Sequence, residues 1–241
     1  MVNLEGIISI SMITVSKEDY IKAIMEAESE GAEVISATLA HWLSVSAPAV
    51  TMALRRLKKD GLVIVHADGR VRLTAAGREI ARRLMVRHHL IERMLHEVFG
   101  MEWYKTHDEA ERLEHAVSAD FEARLVEKLG RGRACPHGNL TTPESPATRR
   151  RRGLVLLANA EAGKTYTVAG VYERDRKLLE FLDSRGVRPG AKIHIVNRNY
   201  DQTLTLEGEA GMVPLGGAAA ERVWVASEKN HRHGRRSEER G

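Results

Sequence analysis

Three side chains in one short segment have the types and spacing of a metal-binding group. In EAERLEH, Glu111, Glu114 and His115 stand at positions i, i+3 and i+4, so a helix would place all three on one face. Carboxylates crowded in this way repel one another and lose hydration unless a positive charge lies between them. The segment therefore favours a bound divalent cation, although Glu111 and His115 could also form an ordinary helical pair.

A second segment carries a histidine on an apolar stripe. His88 shares the stripe of Leu84 and Ile91, and Glu92 follows one turn later. His88 could point inward as a further metal ligand, or it could be a hydrogen-bonded core histidine. The chain has no HExxH, paired CxxC, Walker, GxGxxG or GxSxG motif that would give these residues a familiar catalytic role.

Helical periodicity predicts the elements that would position these groups. One long helix is expected from Thr74 to about Val98, and a second from Thr106, in a capping box with Glu109, to about Leu129. Two long amphipathic helices cannot cover each other completely. A homodimer that buries the remaining apolar surface is therefore expected.

The segments ahead of these helices predict a winged helix-turn-helix. Helices are expected over residues 16–30, 36–43 and 46–59, followed by a basic hairpin over 63–73 with a tight Asp68-Gly69 turn. In this motif the third helix enters the major groove of DNA and the hairpin reaches the backbone.

Charge supports the same interpretation. Residues 36–75 carry six basic side chains against two acidic ones, whereas residues 1–35 carry seven acidic side chains against two lysines. The third helix and the hairpin present the basic side chains expected to face DNA, which are Arg55, Arg56, Lys59, Arg70 and Arg72. The alternative is a helical domain whose basic face is only solvated.

Composition limits the remaining possibilities. The 241 residues suffice for two or three small domains, and no apolar run approaches the roughly 20 residues of a membrane-spanning helix. The single cysteine, Cys135, excludes intramolecular disulfides and favours the cytoplasm. Residues 131–153 are rich in Gly, Pro, Ser, Thr and Arg and predict a linker, and the short strands beyond it predict a small β-barrel with one helix near 175–185.

Taken in order, several segments resemble the DtxR/MntR (diphtheria toxin repressor) family of metal-dependent transcriptional regulators. They are WLSVSAPAVTMALRRLKKDGLV, GRVRLTAAGREIA, RHHLIERML, HDEAERLEHAVS and CPHGN, and LLEFLDSRGVRPGAKIHIV is similar to the family's SH3-like (FeoA-like) domain. The resemblance covers roughly residues 16–226. It implies a mainly α N-terminal part followed by a small all-β SH3-like barrel. The corresponding ranges are a winged helix-turn-helix (1–75), a helical metal-binding and dimerisation domain (76–130), a linker (131–153), an SH3-like domain (154–226) and a disordered tail (227–241).

The resemblance also implies two metal sites. The primary site would comprise Asp19, His88, Glu111, Glu114 and His115, and the secondary site Glu92, Cys135, His137, Asp175 and the ancillary ligand His107. Asp19 and Glu111 place oxygen where the iron branch of the family has sulfur, so Mn²⁺ is the first choice and Fe²⁺ the second. Lys22 stands where two-manganese members have glutamate, which argues against a binuclear site. Asp175 could instead cap a helix, and Cys135 could be an inert thiol.

The DNA contacts implied by the resemblance lie on the third helix. They are Ser46, Pro48, Ala49, Thr51, Met52 and Arg56. The thioether of Met52 can make only apolar contact with bases, so the resemblance implies readout that relies more on DNA shape.

The sequence therefore predicts a non-enzymatic, metal-dependent repressor. The metal would act as corepressor by fixing the DNA-binding domains of a homodimer on a pseudo-palindromic operator of double-stranded DNA. Two other classes stay open from the residues alone: a winged-helix regulator without metal that senses a ligand through its barrel, and a metallohydrolase.

Overall fold

The computed structural model describes residues 15–141 and 143–227, so the predicted disordered tail lies outside the described residues beyond Ser227. The chain divides into two compact units, residues 1–88 with 142–146, and residues 89–141 with 147–241. Among the described residues no single helix is long and apolar enough to cross a membrane, while one bent pair of helices, Ser36–Trp42 with Ala47–Lys59, passes the same test by length and composition only.

The first unit has the predicted order of a winged helix-turn-helix. Its elements are α1 (Val15–Ser29), α2 (Ser36–Trp42), α3 (Ala47–Lys59), β1 (Val63–Val65), β2 (Val71–Leu73) and the first part of α4 (Ala75–Arg93). Ile21, Leu39 and Leu57 are completely buried where the first three helices pack together. Leu84 and Met85 of α4 pack in this same core, so this compact unit includes the first part of α4.

The wing is an antiparallel hairpin with a longer turn than expected. Val63 pairs with Leu73 and Val65 with Val71. The His66 N–H then donates to Arg70 O at 2.8 Å, which leaves three residues in the turn instead of a two-residue Asp-Gly turn. Gly69 adopts a φ of +84°, the left-handed conformation that three-residue hairpin turns require at this position.

The predicted long helices of the second unit are both interrupted. α4 ends at Arg93 and continues as a π-helical turn, and the second helix is split into α5 (Thr106–Leu113) and α6 (Ala119–Leu129). Ser118 begins α6 by accepting a hydrogen bond from the Phe121 N–H at 3.2 Å. The predicted capping box does not form: Lys105 occupies the N-cap position of α5, no side chain caps the helix, and the Thr106 hydroxyl donates to Trp103 O at 2.9 Å.

The predicted linker is folded over much of its length. Cys135 and His137 are buried, and residues Pro146–Arg151 form the short helix α7. Composition indicated a flexible connection here because it records the Gly and Pro content of a segment and not the tertiary contacts that order it.

The C-terminal part is a six-stranded antiparallel sheet, as the all-β prediction requires. Its elements are β3 (Leu154–Leu156), β4 (Thr165–Val171), α8 (Arg176–Asp183), β5 (Lys192–Arg198), β6 (Leu204–Gly208), β7 (Gly211–Leu215), α9 (Gly217–Ala220) and β8 (Val223–Ser227). The strand order is β3-β8-β4-β5-β6-β7, and β3 and β7 were not predicted. Trp103 packs in the core of this sheet and donates its indole N–H to Asp183 at 2.6 Å. This contact joins the helical and β parts of the second unit.

Candidate metal centres and DNA-binding surface

The second unit encloses a buried group of six potential metal ligands, which we call the second centre: His89, Glu92, His107, Cys135, His137 and Glu173. Glu92 Oε1 lies 3.3 Å from the Nδ1 atoms of both His107 and His137. Glu173 Oε2 lies 3.6 Å from His137 Nδ1 and 3.5 Å from Cys135 Sγ. Donor atoms of His89, Glu92, Cys135 and Glu173 lie within 4.8 Å of one another. One ion could therefore contact several of these side chains.

A compact loop positions two of these ligands against the end of β4. The Cys135 N–H donates to Asn139 O at 2.9 Å, and His137 O accepts the Val171 N–H at 2.9 Å. The Asn139 side-chain amide donates to Val171 O at 3.2 Å and to Glu173 Oε2 at 2.6 Å. The Cys-Pro-His-Gly-Asn motif therefore supplies two potential ligands and the hydrogen bonds that orient a third.

Gly138 makes this close approach possible, and replacing it with alanine is expected to disrupt the loop. Its φ is +82°, and an added Cβ would lie 2.2 Å from Ala169 O and 2.7 Å from Gly170 Cα. We expect Gly138→Ala to lower the free energy of unfolding by about 2 kcal/mol or more, measured by denaturant unfolding. The matched control is Gly132→Ala, with a φ of +79° and no atom within 4 Å, which should cost only about 1 kcal/mol. Equal losses would show that the approach to β4 is unimportant.

The second centre has the donor chemistry of a divalent transition-metal site. Burial raises the pKa of Cys135 well above its usual value, and the charges of Glu92 and Glu173 raise it further. Burial and Glu92 also raise the pKa of Glu173, but the imidazoles of His89 and His107 outweigh both and lower it overall. Glu173 is therefore a carboxylate, and the thiol would lose its proton as it binds a metal. Imidazole, thiolate and carboxylate together fit Fe²⁺, Co²⁺, Zn²⁺ or Mn²⁺.

Asp175, which was predicted as a ligand of the secondary site, lies outside this group of side chains in the structure. It is exposed and caps α8, where its Oδ1 accepts the Leu178 N–H at 3.1 Å. Glu173, two residues earlier, lies in the centre instead. The available signal was its position two residues after Val171, the last residue of β4, because alternate residues of an extended chain point to the same side.

His89 was also missed in the sequence. It is 1% exposed, and its Nε2 lies 3.9 Å from Glu173 Oε1. The available signal was its spacing from Glu92, because residues three apart lie on the same face of α4.

Three of the predicted primary ligands lie in the second unit. Glu114 is 2% exposed, and its Oε1 lies 3.7 Å from His115 Nε2. Glu111 is partly exposed, and its Oε1 lies 3.6 Å from His107 Nε2 and 4.0 Å from Arg174 Nη1. Two carboxylates and an imidazole thus lie at and just beyond the C-terminal end of α5, since the helix ends at Leu113 and does not run through His115 as the spacing required.

The other two predicted primary ligands lie in the first unit. Asp19 is partly exposed on α1, and His88 is completely buried on α4. Within this unit His88 Nδ1 lies 3.4 Å from Lys22 Nζ. His88 is thus a buried histidine with a lysine of α1 beside its ring.

The predicted DNA-contact residues form an exposed surface of the first unit. Ser46 caps α3 by accepting the Ala49 N–H at 3.4 Å. All of the predicted contacts are exposed: Ser46, Pro48, Ala49, Thr51, Met52, Arg55, Arg56, Lys59, Arg70 and Arg72. Val50, Leu54 and Leu57 hold the opposite face of α3 in the core. Arg70 is held at 2.6 Å by Asp68 in the wing.

Comparison with known proteins places these features in one family. Residues 12–71 match the N-terminal DNA-binding domain of iron-dependent repressors, 74–142 their metal-binding and dimerisation domain, and 155–227 the FeoA domain. The chain belongs to the iron-dependent repressor family. This membership makes it a metal-dependent transcriptional repressor, with DNA and a second copy of the chain as partners.

Individual relatives agree with the assignment. The chain is 32% identical over 202 residues to the diphtheria toxin repressor of Corynebacterium efficiens. The aligned region covers 79% of this chain and 87% of that relative. It is 39% identical over 191 residues to the iron-dependent repressor IdeR of Mycobacterium tuberculosis. Here the aligned region covers 74% of this chain and 82% of that relative. A solved manganese-dependent transcriptional repressor in complex with manganese has 32% identity and a TM-score of 0.76, and covers 88% of this chain and 99% of that one.

Proposed function

We propose that the chain is a cytoplasmic repressor whose corepressor is Mn²⁺, with Fe²⁺ as the second choice. The primary ligands would be Asp19, His88, Glu111, Glu114 and His115. The observation that carries the proposal is the buried second centre in a chain whose other unit exposes a basic recognition helix. The oxygen-rich primary ligand set supports Mn²⁺, since carboxylate ligands suit this ion better than softer ones.

The ligands themselves explain how metal would control DNA binding. Asp19 and His88 belong to the unit that carries α3, and Glu111, Glu114 and His115 to the unit that carries α5. When bound, the cation supplies positive charge that three carboxylates can share. Without it their mutual repulsion disfavours the arrangement, and a gap of a few kcal/mol suffices to change operator affinity by orders of magnitude.

The dimer would set the spacing of the two recognition helices. Val98, Phe99 and Phe121 are apolar side chains exposed on the helical part of the second unit, with exposures of 47%, 70% and 44%. We infer that they contribute to the surface buried by the second copy. A two-fold dimer would place its α3 helices about 34 Å apart on a pseudo-palindromic operator.

A DNA mobility shift in the presence of chelator or added Mn²⁺ tests the function. Using bound fragments recovered from a genomic DNA pool, we expect Mn²⁺ to increase the affinity at least about 100-fold, because both α3 helices then bind together. Mg²⁺ at the same concentration controls for general charge screening. Equal shifts with chelator and with Mn²⁺ would support the regulator without metal and overturn the proposal.

A further inference from the structure

The tip of the wing carries an ion pair in which one carboxylate makes three contacts with a single arginine. Asp68 Oδ2 accepts the Arg70 Nε–H at 2.7 Å and lies 2.6 Å from Arg70 Nη2. Asp68 Oδ1 accepts the backbone N–H of Arg70 at 3.0 Å. The carboxylate thus holds both the turn and the guanidinium, although the side chains of Arg70 and Asp68 are 51% and 48% exposed.

This pair cancels a positive charge that the wing would otherwise offer to DNA. The side-chain hydrogen bond between the two residues lowers the pKa of Asp68 and raises the pKa of Arg70. Both groups are therefore charged, and their charges sum to zero. Affinity for DNA of any sequence comes mainly from positive side chains that neutralise phosphates. Arg70 adds little to this affinity while Asp68 holds it.

Arg70 differs in this respect from the other basic side chains predicted to face DNA. Within the part of the chain that the structure describes, the exposed side chains of Arg55, Arg56, Lys59 and Arg72 form no ion pair with an acidic residue. The recognition helix α3 and the strand β2 thus present uncompensated charges to phosphates. The charge of Arg70, on the same DNA-binding surface, is compensated by Asp68.

Asp68 also determines which edge of the guanidinium is available. Arginine commonly binds a phosphate or a guanine through two N–H groups of one edge. Asp68 occupies the Nε–Nη2 edge of Arg70, so contacts through two donors are left to the Nη1–Nη2 edge. A side chain already held in one geometry loses less conformational freedom on binding the acceptors that match this geometry.

We propose that Asp68 is a specificity-determining residue of the wing. By pairing with Arg70 it lowers the affinity for DNA of arbitrary sequence, and it holds the available edge of the guanidinium for one contact at the operator. Contacts of α3 with base edges then make up a larger share of the total affinity, because the sequence-independent part is smaller. This inference rests on the proposed function, since it takes the wing of a repressor to lie against its operator.

Asp68→Asn tests the inference, because asparagine keeps the oxygen that accepts the Arg70 backbone N–H but carries no charge. Binding of the full-length chain to a random-sequence duplex is measured in chelator by fluorescence anisotropy over a range of salt concentrations. At about 0.1 M salt, Asp68→Asn should bind about fivefold to tenfold more tightly, and its salt slope should steepen by about 0.9, as expected for one additional phosphate contact. An unchanged affinity and slope would overturn the inference.

Glu28→Gln is the matched control. It also removes one carboxylate of the first unit and releases one arginine, since Glu28 pairs with Arg78 at 2.8 Å, but neither residue lies on α3 or in the wing. It should leave the salt slope unchanged, and a steepening equal to that of Asp68→Asn would contradict the inference. Asp68→Ser should behave like Asp68→Asn, since serine also supplies an acceptor for the turn, and it guards against misfolding of the asparagine variant.

A double variant shows whether Asp68 acts through Arg70. In an Arg70→Gln background there is no guanidinium to release, so Asp68→Asn should no longer steepen the salt slope by a full phosphate contact. An equal steepening in both backgrounds would mean that Asp68 acts only by its own charge. That result would refute the proposed role of the pair.

The operator supplies the last measurement. With Mn²⁺ and the fragments recovered from genomic DNA, the affinity of Asp68→Asn should rise at most about twofold, because Arg70 loses its imposed geometry as it gains charge. The preference for operator over random DNA should therefore fall, and an equal gain on both DNAs would rule out a role in specificity. An unmodified chain without any preference in Mn²⁺ would overturn the proposed function, whereas the random-duplex comparison in chelator would still decide whether Asp68 restrains Arg70.

Discussion

Replacing Glu114 with glutamine is expected to abolish the stimulation of DNA binding by metal. Glu114 is 2% exposed at the end of α5, with His115 Nε2 3.7 Å from its Oε1. Glutamine has the same shape, but it lacks the negative charge that a divalent ion requires from this ligand. Because loss of even an outer hydrogen-bond partner costs about 10- to 100-fold in metal affinity, loss of a direct ligand should cost at least about 100-fold.

The measurement is a mobility shift over a range of Mn²⁺ concentrations, with thermal unfolding in chelator to show that the fold is intact. Glu109→Gln is the matched control, since Glu109 lies on the same helix but pairs with Arg112 at 2.5 Å near the surface. It removes the same charge and should leave the Mn²⁺ response unchanged. A Glu114→Gln variant that still responded to Mn²⁺ would exclude Glu114 from the primary site and make the second centre the stronger candidate for the switch.

Local sequence patterns were sufficient to predict the helices and the wing of the DNA-binding unit. The spacing of Val50, Leu54 and Leu57 predicted α3, and the Ser46 cap and the alternation in the wing were also read correctly. These signals depend on neighbours within one or two turns of chain. Their information is therefore contained in a short stretch of sequence.

Longer-range packing explains what the sequence did not predict. The break between α5 and α6 is invisible to apolar periodicity, because apolar residues recur every four positions across it, at Leu113, Val117, Phe121 and Leu125. Buried polar residues were harder to predict from the sequence than the helix break. Hydrophobic patterning treats Lys22, His89 and Glu173 as surface residues, and only tertiary contacts show that each lies in the interior.

Substituting two neighbouring carboxylates, Glu173 and Asp175, should have different effects on metal binding at the second centre. We expect Glu173→Gln to weaken metal binding there by about 100-fold, because it removes a buried charge 3.5 Å from Cys135 Sγ. Asp175→Asn should leave metal binding unchanged, since Asp175 is exposed and asparagine caps a helix as well as aspartate does.

Co²⁺ distinguishes the two variants because a thiolate bound to Co²⁺ gives a charge-transfer absorption. The unmodified chain and Asp175→Asn should both develop this absorption, whereas Glu173→Gln should need about 100-fold more Co²⁺. Cys135→Ser should lose the absorption altogether and so assigns the signal. The opposite result, with Asp175→Asn impaired and Glu173→Gln normal, would restore Asp175 as the ligand. Glu173 would then act through its hydrogen bond from Asn139, at 2.6 Å, as a support for the Cys135–His137 loop.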